Sequence, residues 1–141
     1  MTITGCYPVI CSTDVAAARD FYTTHFGFEP TFEADWYVSL RHPRTPHFEL
    51  AFVDHRHPTI PEGFRRPAAG LLVNIEVPDV DAVHQRLAGD GGAGLPVRLE
   101  LRSEAFGQRH FIVEGPGGVL VDVITVIEPT GEFVDQYAAT S

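Results

Sequence analysis

Two segments of the chain, "STDVAAA" at 12–18 and "VPDVDAV" at 77–83, share a pattern at a spacing of 65 positions. Such a repeat constrains the fold more than any single motif, because each copy implies the same supersecondary unit. Each copy sits where a strand gives way to a helix. In the first, "GCYPVICSTD" reads as a strand ending in cap-type residues. Val15, Ala18, Phe21, Tyr22, His25 and Phe26 then recur at helical spacing, with Gly27 as a stop signal. Three short strands follow, "FEPTFEA", "WYVSLRH" and "HFELAFVD", separated by turn residues. In the second copy, "LLVNIEV" is a strand and Asp79 a helix cap. Val80, Val83 and Leu87 form the apolar stripe, and the glycines from Gly89 to Gly94 end it. "LPVRLELR", "RHFIVE" and "VLVDVITVI" supply three more strands. The order is therefore β-α-β-β-β twice. Module one covers about 5–54 and module two about 71–127, within a single domain. The proline-rich "HRHPTIPEGFRRPAAG" between them reads as a linker over 55–70. The tail, 128–141, reads as a short helix or as disorder.

Charge narrows the partners. Against 10 basic residues stand 19 acidic ones, a net charge of −9, which argues against nucleic acid and anionic membrane surfaces. No apolar run is long enough to span a bilayer, and the chain opens without a secretory pattern, so a cytoplasmic protein is expected. Cys6 and Cys11 sit too far apart along one extended strand to bridge, and are expected to be small buried hydrophobes.

One residue resists a purely structural account. Asp122 interrupts the apolar run Val119-Leu120-Val121-Asp122-Val123-Ile124, and a lone buried carboxylate is costly unless paired, hydrogen-bonded or protonated.

The stretches "STDVAAARDFYTTHFGF", "VPDVDAVHQRL" and "GQRHFIVEGPGGVLVDVI", in this order, resemble the vicinal-oxygen-chelate superfamily of glyoxalases, bleomycin-resistance proteins and dioxygenases. The likeness spans most of 5–126, although the closing turn, often Asp-Pro-Asp/Asn-Gly in the family, is here Gly115-Pro116-Gly117-Gly118. The resemblance implies an α+β fold of two tandem βαβββ modules whose curled mixed sheets enclose a cleft, and a homodimer. Metal-dependent members place ligands on the first and last strands of each module. In this chain those positions are Tyr7, Glu49, Leu72 and Asp122.

Leu72 has no donor atom, and Tyr7 would bind a metal only as a phenolate, whose proton leaves near pH ~10. Two carboxylates alone make a poor zinc or iron site. The favoured expectation is a metal-free cleft, with no cofactor, that sequesters a small aromatic or hydrophobic organic molecule in the bleomycin-resistance manner. One alternative is an enzyme, a lyase, isomerase or ring-cleaving dioxygenase, that uses Glu49 and Asp122 with a divalent metal ion; another keeps catalysis without the metal, with Tyr7, Glu49 or Asp122 as the candidate catalytic groups that move protons on a bound substrate.

Strand alternation extends the set. His47 shares the face of Glu49, with Phe48, Leu50 and Phe52 as core, and Asn74 shares the face of Leu72. Trp36 or Tyr37 reaches the same space, with Trp36 carried as the candidate. Only one of Arg109 and His110 can face inward, and Arg109 is carried as the ligand contact. Asp122 could also accept from Arg109 or a backbone amide. Arg98, Glu100 and Arg102 form one polar strand face, turned to solvent or a subunit contact. Ile60 and Phe64, too apolar for a plain linker, are expected to pack over a cleft mouth or at a dimer contact.

Overall fold

In a computed structural model of the chain, which describes residues 1–138, the doubled order is what forms. The elements are β1 (Val9–Ser12), α1 (Val15–Phe26), β2 (Glu29–Glu33), β3 (Tyr37–His42), β4 (Thr45–Asp54), β5 (Leu72–Glu76), α2 (Val80–Leu87), β6 (Val97–Glu104), β7 (Gln108–Glu114) and β8 (Leu120–Val126). They make two four-stranded mixed sheets, curled and open, in an α+β fold. The chain divides into two compact units, one of residues 1–70 with 115–119, the other of 71–114 with the residues from 120 onward.

In the first unit the strand order is β1-β4-β3-β2, with β1 parallel to β4 and the other pairs antiparallel. Helix α1 begins where Asp14 accepts from the Ala17 amide at 3.0 Å, and it ends at Gly27, whose φ of 74° suits a residue without Cβ. Its apolar stripe meets one sheet face: the Tyr22 ring lies 5.2 Å from Phe52, over buried Ile10, Val38, Leu40 and Leu50. Each such side chain contributes about 1.5–3 kcal/mol by leaving water. Phe48 corrects the expected core, since it is exposed. β4 pairs with β1 only over Ala51–Asp54, so its first half runs on past that ladder. Cys6 is likewise exposed, because the regular strand starts only at Val9.

The second unit repeats the order as β5-β8-β7-β6, with β5 parallel to β8. Asp79 caps α2 by accepting from the Ala82 amide at 3.2 Å. Val80 and Leu87 are buried with Phe111, Val113, Val121 and Val123, and His84 meets the Phe111 ring edge-on at 4.9 Å. The β7–β8 hairpin pairs Glu114 with Leu120, leaving five residues, 115–119, in its turn. The tail holds a short 3-10 helix, Gly131–Gln136, whose Phe133 lies against Phe106, and the Tyr137 hydroxyl donates to the Phe106 carbonyl. Residues 139–141 of the tail lie outside the described residues.

The 55–70 segment is tied to the first unit. Trp36 stacks on His57 at 3.8 Å, and the Ala68 amide donates to the Cys11 carbonyl. Phe64 stays 71% exposed. Among the described residues no helix is long and apolar enough to cross a membrane.

Candidate functional site

Because side chains alternate along strands, each sheet turns one face to its helix and leaves the other without one. On the second sheet the helix-free face carries Leu72, Asn74 and Glu76 of β5 opposite Leu120, Asp122 and Ile124 of β8. Beside Asp122 on β7 come Ile112, its direct partner, and His110, one pleat along; Arg102 of β6 pairs with His110.

Asp122 is 6% exposed and His110 4%. They meet at 2.8 Å between Oδ1 and Nδ1. The other ring nitrogen of His110 faces Glu104 Oε2 at 3.2 Å. Arg102 in turn donates to Glu104 at 3.1 Å and 3.3 Å. The buried carboxylate is thus one end of a chain of four side chains, Asp122–His110–Glu104–Arg102. That is the partner its burial demands.

Both imidazole nitrogens face carboxylate oxygens, so each contact needs a proton between its atoms. Either an imidazolium donates to both acids, or a protonated Asp122 donates to Nδ1 while Nε2–H donates to Glu104. The two forms differ by one proton moved along the Asp122–His110 contact, and in both the four groups sum to zero charge. Burial pushes the Asp122 carboxyl above its ordinary range, with the His110 hydrogen bond acting the other way. Glu104 is held below its range, first by the hydrogen bond from Arg102 and then by His110.

Arg109 goes elsewhere. It lies on the helix side of the sheet and grips Asp81 of α2 at 2.9 Å and 3.0 Å, with Ser103 at 3.2 Å. Neither it nor a backbone amide is the partner of Asp122; His110 is. Asn74 stands in register with Asp122 and is exposed, as is Leu72, at 47%. Within the polar stripe of β6, Arg98 pairs with Glu114 at 2.8 Å, and Arg102, itself exposed, forms the outer end of the chain that starts at Asp122.

On the first sheet the helix-free face carries Val9 and Cys11 of β1, Glu49, Ala51 and Val53 of β4, and Tyr37, Ser39 and Arg41 of β3. Ala51 and Val53 form a buried floor, while Tyr7, Val9 and Phe32 remain exposed. Tyr7, just ahead of β1, lies beside Tyr37. Charge repulsion from that phenol, and the hydrogen bond with it, hold the Tyr7 hydroxyl above the ordinary tyrosine range. Phe32 meets Tyr37 edge-on at 6.0 Å. Glu49 stands opposite Arg41 in the ladder but makes no ion pair with it. It is Tyr37 whose register places it on this face; Trp36 lies just outside the strand, stacked on His57. His47 is exposed and contacts the Phe48 ring at 4.4 Å.

The four positions that would hold a metal do not fit one. Leu72 offers no donor, the Tyr7 phenol is harder to ionise than an ordinary tyrosine, and Asp122, with Oδ1 bonded to His110, has only Oδ2 to offer. Among the described residues no three His, Cys, Asp or Glu side chains are grouped so as to hold a metal ion.

Residues 7–123 match the family model described as Glyoxalase/Bleomycin resistance protein/Dioxygenase superfamily. No curated protein matches the chain. Among solved structures, a possible glyoxalase from Bacillus cereus is 24% identical, with a TM-score of 0.60 over 87% of this chain and 99% of that one. A glyoxalase/bleomycin resistance protein/dioxygenase from Nocardioides is 17% identical, with a TM-score of 0.69 over 94% and 89%. TnmS3, an antibiotic binding protein from Streptomyces sp. CB03234, is 22% identical, with a TM-score of 0.66 over 89% and 98%. At these identities the likeness is one of fold.

Proposed function

The chain belongs to the glyoxalase/bleomycin resistance protein/dioxygenase superfamily, and within it we propose a binding role: it holds a small, largely aromatic organic molecule on its helix-free sheet surfaces, without a resident metal. One observation carries this reading. The positions at which the family's metal-dependent members hold their ion are occupied here by groups better suited to an organic molecule: an exposed phenol at Tyr7, an exposed aliphatic at Leu72, and a carboxylate at Asp122 already tied to an imidazole. Exposed aromatic and aliphatic side chains beside a few fixed polar groups suit a small organic ligand. The likeness to an antibiotic-binding protein supports the same class of ligand. The proposal includes a cytoplasmic homodimer. β1, β2, β5 and β6 lie at sheet edges, and a second copy would cover edges that otherwise invite aggregation. Sedimentation at micromolar concentration should show a dimer, and a monomer would remove that part.

A thermal-shift screen of aromatic compounds, run with excess chelator, tests the binding role. A ligand that binds only the native state raises its stability by about 2.7 kcal/mol at a hundredfold excess over Kd. The reading expects hits that persist in chelator. Hits that vanish in chelator and return with a divalent ion would overturn it in favour of the metal-dependent enzyme.

A further inference from the structure

The buried chain on the second sheet leaves one atom uncommitted. Asp122 Oδ1 is bonded to His110, but among the described residues Oδ2 takes no hydrogen bond. Nor is it sealed, since among the described residues the only buried side-chain polar atom left without a partner is the Tyr22 hydroxyl. A carboxyl group in a residue only 6% exposed therefore presents a single open oxygen on a face floored by Ile112 and Ile124. Three further side chains hold it there. His110 fixes the carboxyl plane, Glu104 of β6 fixes the imidazole, and Arg102 holds Glu104 from two residues back on the same strand. A solvated surface acid needs none of this support; an acceptor that must be oriented does.

We propose that Asp122 Oδ2 is the anchoring acceptor for a hydroxyl group of an aromatic alcohol or phenol, and that His110, Glu104 and Arg102 position it. The inference rests on the binding role above and names the chemical class of its ligand. A hydroxyl donating to Oδ2 gives the buried carboxyl group the second partner it lacks. A ligand of the same shape without the O–H leaves that oxygen unpaired and covered. Sites built to bond a hydroxyl reject analogues lacking it far more strongly than apolar pockets reject a missing methylene.

The probes are β-naphthol and its methyl ether, titrated by fluorescence against the 141-residue chain. The proposal expects the wild type to prefer the naphthol about tenfold or more. Asp122→Asn, which places an amide at this position, should bring the ratio near one while affinity for the ether changes by less than about twofold. His110→Gln should reduce the ratio in the same selective way, as expected of a positioning residue. Should Asp122→Asn fail to fold, Glu104→Gln at the far side of the imidazole must still lower the ratio. Equal binding of both probes to the wild type overturns this proposal and leaves the binding role standing. Loss of affinity for both probes by the same factor in His110→Gln makes that residue merely structural, and also overturns it. Binding of neither probe overturns the proposal together with the aromatic-ligand reading beneath it.

Discussion

Two buried polar residues show opposite accounting at the scale of single side chains. Asp122 has its partner; Tyr22 does not. The Tyr22 hydroxyl is fully buried with no hydrogen bond, on a ring that packs among Phe21, Phe26, Phe28 and Phe52, and burial pushes its ionisation far above the ordinary tyrosine range. An unsatisfied buried hydroxyl costs about 1–3 kcal/mol, so Tyr22→Phe should leave stability unchanged or raise it by about 1 kcal/mol in urea denaturation. A loss beyond about 1 kcal/mol would mean that the hydroxyl has a partner. Acid tests the carboxyl groups. Glu104, Asp54 and Asp81 are held below their ordinary range chiefly by hydrogen bonds from Arg102, Arg56 and Arg109. Their stabilisation is present above the unfolded carboxylate range and lost as the pH falls through their folded values. Asp122 has the opposite sign: its folded value is raised, so protonation restores stability as the pH falls through that value. Tm should therefore hold or rise slightly as the pH falls from neutral toward the ordinary carboxylate range, then fall below that range, at about 4. A steady decline beginning at neutral pH would contradict the raised Asp122.

At the scale of elements, the β7–β8 hairpin decides which basic residue meets Asp122. A four-residue turn, 115–118, would pair Glu114 with Val119 and put Arg109 on the face of Asp122. The actual turn includes Val119, so even-numbered residues face even-numbered ones and His110 takes that place. A shift of one residue turns every side chain to the other face. If the turn keeps its five residues, deleting Val119 pairs Glu114 with Val121, turns Phe111 or Val123 out of the core and abolishes cooperative unfolding; a sharp transition near the wild-type Tm would mean that the hairpin closes over a shorter turn, and would refute the role given to its length. The same slip explains what the sequence could and could not tell. Helices, strands and their doubled order were legible because Asp14 and Asp79 cap them and the apolar periods change at those points. Asp122 was legible as an anomaly in an apolar run. The chain behind it was not, since Glu104, His110 and Arg102 come together only through strand register, which composition does not encode. Trp36 and Tyr37 posed the same problem of phase, and Phe48 left the core because β4 outruns its partner β1.

For the whole molecule, the two modules share one order of elements but differ in the chemistry of their helix-free faces. The first offers phenols, a phenyl ring and Glu49; the second offers Leu72, Asn74 and the supported carboxyl of Asp122. Superfamily membership leaves both metal-dependent catalysis and ligand binding open, because one fold hosts many functions and only the site chemistry separates them. Here that chemistry turns on whether Asp122 serves an imidazole or a cation. Calorimetric titration of chelator-dialysed protein with zinc, manganese, nickel and ferrous ions asks this directly. The account predicts no stoichiometric binding at micromolar concentrations. One ion per chain, bound tightly and lost in both Glu49→Gln and Asp122→Asn, would contradict it.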